Sequence, residues 1–241
     1  MRKQFGTLAL ALALAPAVLG AEASRLAAAP PAAATTQPGT GIHYLYLVRH
    51  GIYDRDSSAT DDRVTNGLNA LGHEQARLVG ERLAELPVKF DRLISSEFLR
   101  AAQTADEIGH ILHMMPARDS LLNECTPYSV SPRIMAGDKP GDIAACDSAR
   151  VLTWQRYFVP TPSRDTYDVL VCHGNVIRWT VMRALHAETK YWSDQDSGNG
   201  ALTIFAVLPS GVTRLVMYSD VGHLPVEKQT WSGKGGGWVK K

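Results

Sequence analysis

Three short apolar runs in this chain stop on polar clusters that open directly into helical patterns, and that arrangement limits the available folds more than any other feature. Leu47-Val48 runs into Arg49-His50-Gly51, Leu93-Ile94 into Ser95-Ser96-Glu97-Phe98-Leu99-Arg100, and Val169-Leu170-Val171-Cys172 into His173-Gly174-Asn175. Strand then helix, repeated, is the signature of an α/β domain: a mostly parallel central sheet in a three-layer arrangement with helices on both faces. In such sheets ligands collect beyond the carboxyl ends of the strands, where all three clusters fall. Expected strands are His43 to Val48, Arg92 to Ser95, Val169 to Cys172, Leu202 to Leu208 and Thr213 to Tyr218. Expected helices run from about Ala70 to Leu86 with Asn69 as N-cap, from about Glu97 to Leu112 with Ser96 as cap, and from Gly174 to about His186. Residues 127 to 165 hold five prolines (Pro127, Pro132, Pro140, Pro160, Pro162) and read as a loop-rich insertion with one short helix around Arg150 to Phe158.

Outside this core the N-terminus stands apart. Met1-Arg2-Lys3, an apolar run from Leu8 to Leu19 and Ala21-Glu22-Ala23 form a basic, an apolar and a small-residue region, so residues 1–23 read as a signal peptide, with an uncleaved membrane anchor as the alternative. The run contains Pro16 and falls short of the ~20 residues that a spanning helix needs. An Ala/Pro-rich linker follows over residues 24–40, then the domain over 41–226 and a Gly/Lys-rich flexible tail over 227–241. The expected address is the periplasm or the exterior. With 25 Lys plus Arg against 24 Asp plus Glu the chain carries no basic footprint, which argues against a nucleic-acid partner, and no stable membrane insertion is expected after cleavage. Oligomeric state is not readable. Three cysteines leave at least one thiol free; Cys172 ends an apolar run and reads as buried, while a Cys125 to Cys146 bridge stays open.

The strand ends bring together two arginines and two histidines. A guanidinium fork binds phosphate bidentately and keeps its proton, so Arg49 and Arg100 suit a phosphoryl dianion. A neutral imidazole beside them can attack phosphorus and form a covalent intermediate. The second histidine and the N–H groups opening the Gly174 helix can hold charge on the transferring oxygens, and Asn175 either caps that helix or touches phosphate. The departing alkoxide needs an acid, and Glu124, expected to follow a strand through Leu121-Leu122, is the candidate. This chemistry calls for no metal and no cofactor. His110 and His113, three apart on a helix, lack a completing carboxylate motif and read as surface histidines.

Taken in order, Leu47-Val48-Arg49-His50-Gly51, Leu68-Asn69-Ala70-Leu71-Gly72-His73-Glu74-Gln75-Ala76, Ser95-Ser96-Glu97-Phe98-Leu99-Arg100-Ala101-Ala102-Gln103-Thr104-Ala105, Glu124 and Cys172-His173-Gly174-Asn175 resemble the histidine phosphatase, or phosphoglycerate mutase-like, superfamily. The resemblance covers roughly residues 43 to 220. It implies a phosphohistidine at His50, a phosphate pocket of Arg49, Arg100 and His173, and proton donation by Glu124. Asn175-Val176-Ile177-Arg178, Asn199-Gly200-Ala201 and Asp220-Val221-Gly222-His223-Leu224-Pro225 look most like the mitochondrial serine/threonine protein phosphatase branch. Ile52-Tyr53 stands where the mutase pattern has an acidic and then a hydroxyl residue, and Gly174 follows His173 where acid phosphatases have aspartate. The expected activity is therefore metal-independent phosphomonoester hydrolysis of a phosphoprotein or a small phosphate ester. A phosphoglycerate-type mutase and a non-catalytic phosphate-binding module are the alternatives.

Overall fold

The computed structural model describes residues 40–231; the expected signal peptide, nearly all of the linker and the last ten residues lie outside them. The chain builds one six-stranded mixed sheet: β1 His43–Arg49, β2 Arg92–Ser95, β3 Ala117–Arg118, β4 Thr166–Cys172, β5 Leu202–Val207 and β6 Thr213–Asp220, in the order β3-β2-β4-β1-β5-β6. Pairings β1 with β4, β2 with β4 and β2 with β3 are parallel, and β5 and β6 add an antiparallel edge. The helices are α1 Ala70–Ala84, α2 Leu99–Leu112, the one-turn α3 Pro132–Met135, α4 Pro140–Tyr157 and α5 Gly174–Ala184.

Successive strand residues point to opposite faces, and the chain uses both. Leu45, Leu47, Leu170, Cys172 and Phe205 pack beneath Val176, Ile177 and Val181 of α5 and Tyr157 of α4. Tyr46, Val48, Val169 and Val171 pack beneath Val79 and Leu83 of α1 and Ala101, Ala105 and Ile108 of α2. The result is the three-layer α/β fold that the strand and helix alternation implies. No helix among the described residues is long and apolar enough to cross a membrane.

Two close approaches shape the loop after β1. A Cβ on Gly51 would sit 2.3 Å from the carbonyl oxygen of Gly72, and one on Gly72 would sit 2.0 Å from that of Ile52, so both positions need glycine for the chain to pass. Asn69 caps α1 as expected, its side chain accepting the Gly72 N–H at 2.9 Å.

Several elements differ from the sequence reading. Residues 140–157 are a single helix of 18 residues rather than a loop with a short helix, because Pro140 occupies the first helical turn, where its missing N–H costs nothing. Leu121-Leu122 is a 3₁₀ turn over Ser120–Leu122, capped by Asp119, and not a strand. α2 starts at Leu99 with no side-chain cap, since Ser96 is engaged elsewhere. The residues expected to begin a loose tail at 227 are docked as far as Trp231. Gln75 Nε2 donates to Lys228 O at 2.7 Å, and Thr230 O accepts the Asn199 N–H at 2.9 Å.

Candidate active site

The parallel register places the site. Arg49 is opposite Cys172, His50 N–H donates to Cys172 O at 3.0 Å and Ser96 N–H donates to Val171 O at 2.9 Å, so the ends of β1, β4 and β2 meet side by side. Arg49, His50, Arg100 and His173 are all brought together there and all buried.

His50 is held in one neutral tautomer. Its Nδ1 lies 2.8 Å from Gly51 O, an acceptor only, so Nδ1 carries the proton and Nε2 keeps its lone pair. Burial, with Arg49 and Arg100 adding to it, holds its pKa well below the ordinary histidine value, so the ring is neutral at pH 7. Its ring centroid is 5.0 Å from that of His173.

His173 has the opposite tautomer. Ser96 Oγ donates to Asn123 Oδ1 at 2.8 Å and therefore accepts from His173 Nε2 at 2.8 Å. His173 Nδ1 is left bare, buried and without a hydrogen-bond partner among the described residues. Burial and the adjacent His50 hold this pKa well down as well.

The two arginines are braced differently. Arg49 Nη1 donates to Ser197 O, and burial brings its pKa down to about 10 against the pull of Glu124, which leaves a cation at neutral pH. Arg100 Nη1 donates to Asp62 at 2.9 Å, and its guanidinium lies 4.7 Å from the centre of the Tyr53 ring and 5.1 Å from that of Phe98. Asp62 is in turn fixed by Asn66 Nδ2 at 2.6 Å.

Glu124 enters from the turn after Leu122. Its Oε2 lies 3.5 Å from the Asn175 N–H, and Oε1 is buried without a hydrogen-bond partner among the described residues. Burial raises its pKa, with the charges of Arg178, Arg49, Arg150 and Arg100 pulling the other way. A carboxyl so placed retains its proton at a higher pH than a surface glutamate. The Asn175 side chain braces this segment: Nδ2 donates to Cys125 O at 2.9 Å and Oδ1 accepts from Arg178 at 2.6 Å.

Sequence reasoning missed three residues here. Ser96 sets the tautomer of His173. Arg178 stacks on Trp192 at 4.7 Å and donates to Gly174 O and Gln195 O; its spacing of four from Gly174, on the face of Asn175, was the available signal. Arg150 is buried behind Glu124, and an arginine in mid-helix carried no signal at all. No group of three or more metal-ligating side chains capable of holding an ion occurs among the described residues.

The family described as histidine phosphatase superfamily (branch 1) matches residues 45–128. The mitochondrial serine/threonine-protein phosphatase PGAM5 of Xenopus laevis is 34% identical over 190 residues, which cover 77% of this chain and 68% of that protein. The PGAM5 of Homo sapiens is 33% identical, covering 78% and 66%. Among solved structures, a phosphoglycerate mutase from Plasmodium falciparum superposes with a TM-score of 0.55 at 24% identity, over 77% of this chain and 96% of that one. An Entamoeba histolytica phosphoserine phosphatase gives 0.54 at 21%, over 76% and 100%. The chain belongs to the histidine phosphatase superfamily. Its chemistry is phosphoric monoester hydrolysis by way of histidine.

Proposed function

We propose that His50 is the residue phosphorylated, that Arg49, Arg100 and His173 bind the phosphoryl group, that Glu124 is the general acid, and that the physiological substrate is a protein phosphorylated on serine or threonine. The neutral His50, with Nδ1–H held by Gly51 O and two arginines beside it, carries this reading. Nε2 attacks phosphorus as the P–O bond to the alcohol breaks, and Glu124 passes its proton to the departing oxygen. The carboxylate so formed then takes a proton from a water that attacks the phosphohistidine, which returns Nε2 and releases inorganic phosphate. Charge on the transferring oxygens is met by arginines, and hydrolysis is expected to survive excess chelator. Relatives named as serine/threonine protein phosphatases support the substrate class.

Residues 1–23 support export, and the disulfide between Cys125 and Cys146 fits an oxidising compartment such as the periplasm. The relatives named above are mitochondrial, an address that the signal-peptide pattern of residues 1–23 argues against carrying over.

The deciding experiment assays residues 41–231 on a phosphoserine peptide, a sugar phosphate and 3-phosphoglycerate, with and without chelator, alongside His50→Ala. Preference for the peptide, indifference to chelator and loss of trapped phosphohistidine in the variant are expected. Transfer of phosphate to a second hydroxyl of phosphoglycerate in place of release would establish a mutase. Binding of phosphate without turnover on any ester would establish a non-catalytic module.

A further inference from the structure

The inner face of α4 has an unusual composition. Its buried residues are Cys146, Arg150, Thr153 and Tyr157, spaced four, three and four apart, so they form one stripe along the helix. The whole stripe grips the segment that carries Glu124. Cys146 is bonded to Cys125, the residue after the glutamate. Arg150 Nη2 donates to Leu121 O at 2.9 Å and Asn123 O at 3.1 Å, on the other side of it. Thr153 Oγ1 lies 2.8 Å from Leu121 O and equally from Ala149 O of its own helix, its one proton serving either, and Tyr157 Oη donates to Asp119 at 2.6 Å.

The guanidinium stands out within this stripe. Arg150 is 2% exposed, and its Nε and Nη1 have no hydrogen-bond partner among the described residues. A buried cation left partly unpaired is costly, and an apolar residue of the same volume would serve packing alone at less cost. What Arg150 holds in return is the backbone on the N-terminal side of Glu124, while the disulfide holds the C-terminal side.

We propose that Arg150 and the Cys125–Cys146 disulfide are positioning elements for proton donation by Glu124, and that a thiol reductant acting on the bridge slows the enzyme selectively on esters with poor leaving groups. Two-electron reduction by a dithiol opens the bond to two thiols while the dithiol closes to its own disulfide. Residues 123–125 then lose their covalent tie to α4, and a displacement of about 1 Å at a catalytic group can cost about 100-fold. The inference rests on Glu124 being the acid.

The test is single-turnover phosphorylation of His50 by an aryl phosphate and by phosphoserine. It compares the native protein, the protein after dithiothreitol, Cys125→Ser/Cys146→Ser, Arg150→Met, Arg150→Lys and Glu124→Gln, with thermal unfolding followed in parallel. For the reduced protein, the double variant and Arg150→Met, about a 10- to 100-fold loss with phosphoserine and under about twofold with the aryl ester is expected. Arg150→Lys, which keeps a cation and a donor, recovers part of the loss. General loosening of the fold would lower both substrates together, and that result overturns the proposal, as does no loss with either. Should Arg150→Met fail to fold, the reduced native protein carries the test. Selectivity in Glu124→Gln without selectivity in the others removes this proposal alone. Its absence in Glu124→Gln itself removes the assignment of the acid, and the proposal with it.

Discussion

Ser96 and His173 are 2.8 Å apart, and the serine can only accept in that bond because its own proton is given to Asn123 Oδ1. The same Oδ1 accepts the Glu97 N–H at 2.9 Å, which fixes which end of the Asn123 amide faces Ser96. The chain Asn123, Ser96, His173 therefore forces the proton of the neutral imidazole onto Nε2. The atom turned away from Ser96, Nδ1, has no proton to offer an anion until one is supplied.

Phosphate-site anions should bind together with a proton. His173 is neutral in the empty site, where burial and His50 hold its pKa well below 6.5, and an adjacent dianion raises that pKa in the complex. Between the two values the inhibition constant of sulfate, a dianion across the whole range, is expected to rise about tenfold per pH unit. In His173→Asn, where a neutral amide N–H replaces the imidazolium donor, the dependence should flatten. A constant independent of pH in the native protein, or an unchanged slope in the variant, would exclude His173 as the proton acceptor.

Protein stability should fall on mild acidification through the buried neutral histidines. His50 and His173 are neutral in the fold with pKa values held well down, while in the unfolded chain each takes up a proton near pH 6.5. Their depressed values therefore add no penalty above pH 6.5, and stability is lost below it as the unfolded state binds more protons. Each contributes a slope of about 1.4 kcal/mol per pH unit between 6.5 and its folded value. Denaturant unfolding from pH 7 to pH 5 measures this, and His50→Asn should remove one histidine's share of about 1.4 kcal/mol per pH unit, leaving that of His173 and a contribution of the same sign from His223, whose pKa burial also lowers. An equal slope in that variant would mean that His50 is not buried as a neutral ring.

Thiol counting checks the cysteine assignment and its energetic consequence. Cys172 is buried, and burial pushes its thiol up to about 12, so it should resist alkylation in the native protein. One alkylated cysteine is expected after denaturation and three after denaturation with reductant. Reduction of the native protein should cost about 3 kcal/mol through the unfolded-state freedom regained by the Cys125–Cys146 loop. Three reactive thiols without reductant would remove the bridge.

The strand-end quartet was legible from sequence because strand and helix patterns are local, and parallel pairing of β1, β4 and β2 carries their ends to one place whatever the loops do. The N-terminal half of α4 was not legible, for two reasons. Its Pro140 reads as a breaker but sits in the first turn, and its inner stripe of Cys146, Arg150, Thr153 and Tyr157 engages carbonyls, a carboxylate and a disulfide, with Tyr157 alone also packing in the apolar core. Hydrophobic periodicity cannot register such a face. Ser96 was misread for a related reason: a serine before a helix is usually its cap, and only the tertiary approach of His173 redirects it.

Glu124 should impose a basic limb on one class of substrate only. The phosphorylation step with an alkyl ester needs the carboxyl protonated, because an alkoxide leaves poorly without a proton; a phenolate does not share that need. Burial raises the Glu124 pKa, so the step should stay fast through the ordinary carboxylate range and decline as pH rises through the raised value. With an aryl phosphate the same step should show no decline there, and its acid limb, set by protonation of His50, should lie well below pH 6.5. Glu124→Gln should abolish the basic limb and cost on the order of 10² to 10⁴ with phosphoserine at neutral pH, with a much smaller loss for the aryl ester. Rapid-quench trapping of phosphohistidine isolates this step from dephosphorylation, where the same carboxylate acts on water. A basic limb of equal position for both esters, persisting in Glu124→Gln, would assign the titration to another group and direct the search to Asp54, which accepts from Asn69 Nδ2 at 3.1 Å in the neighbouring loop.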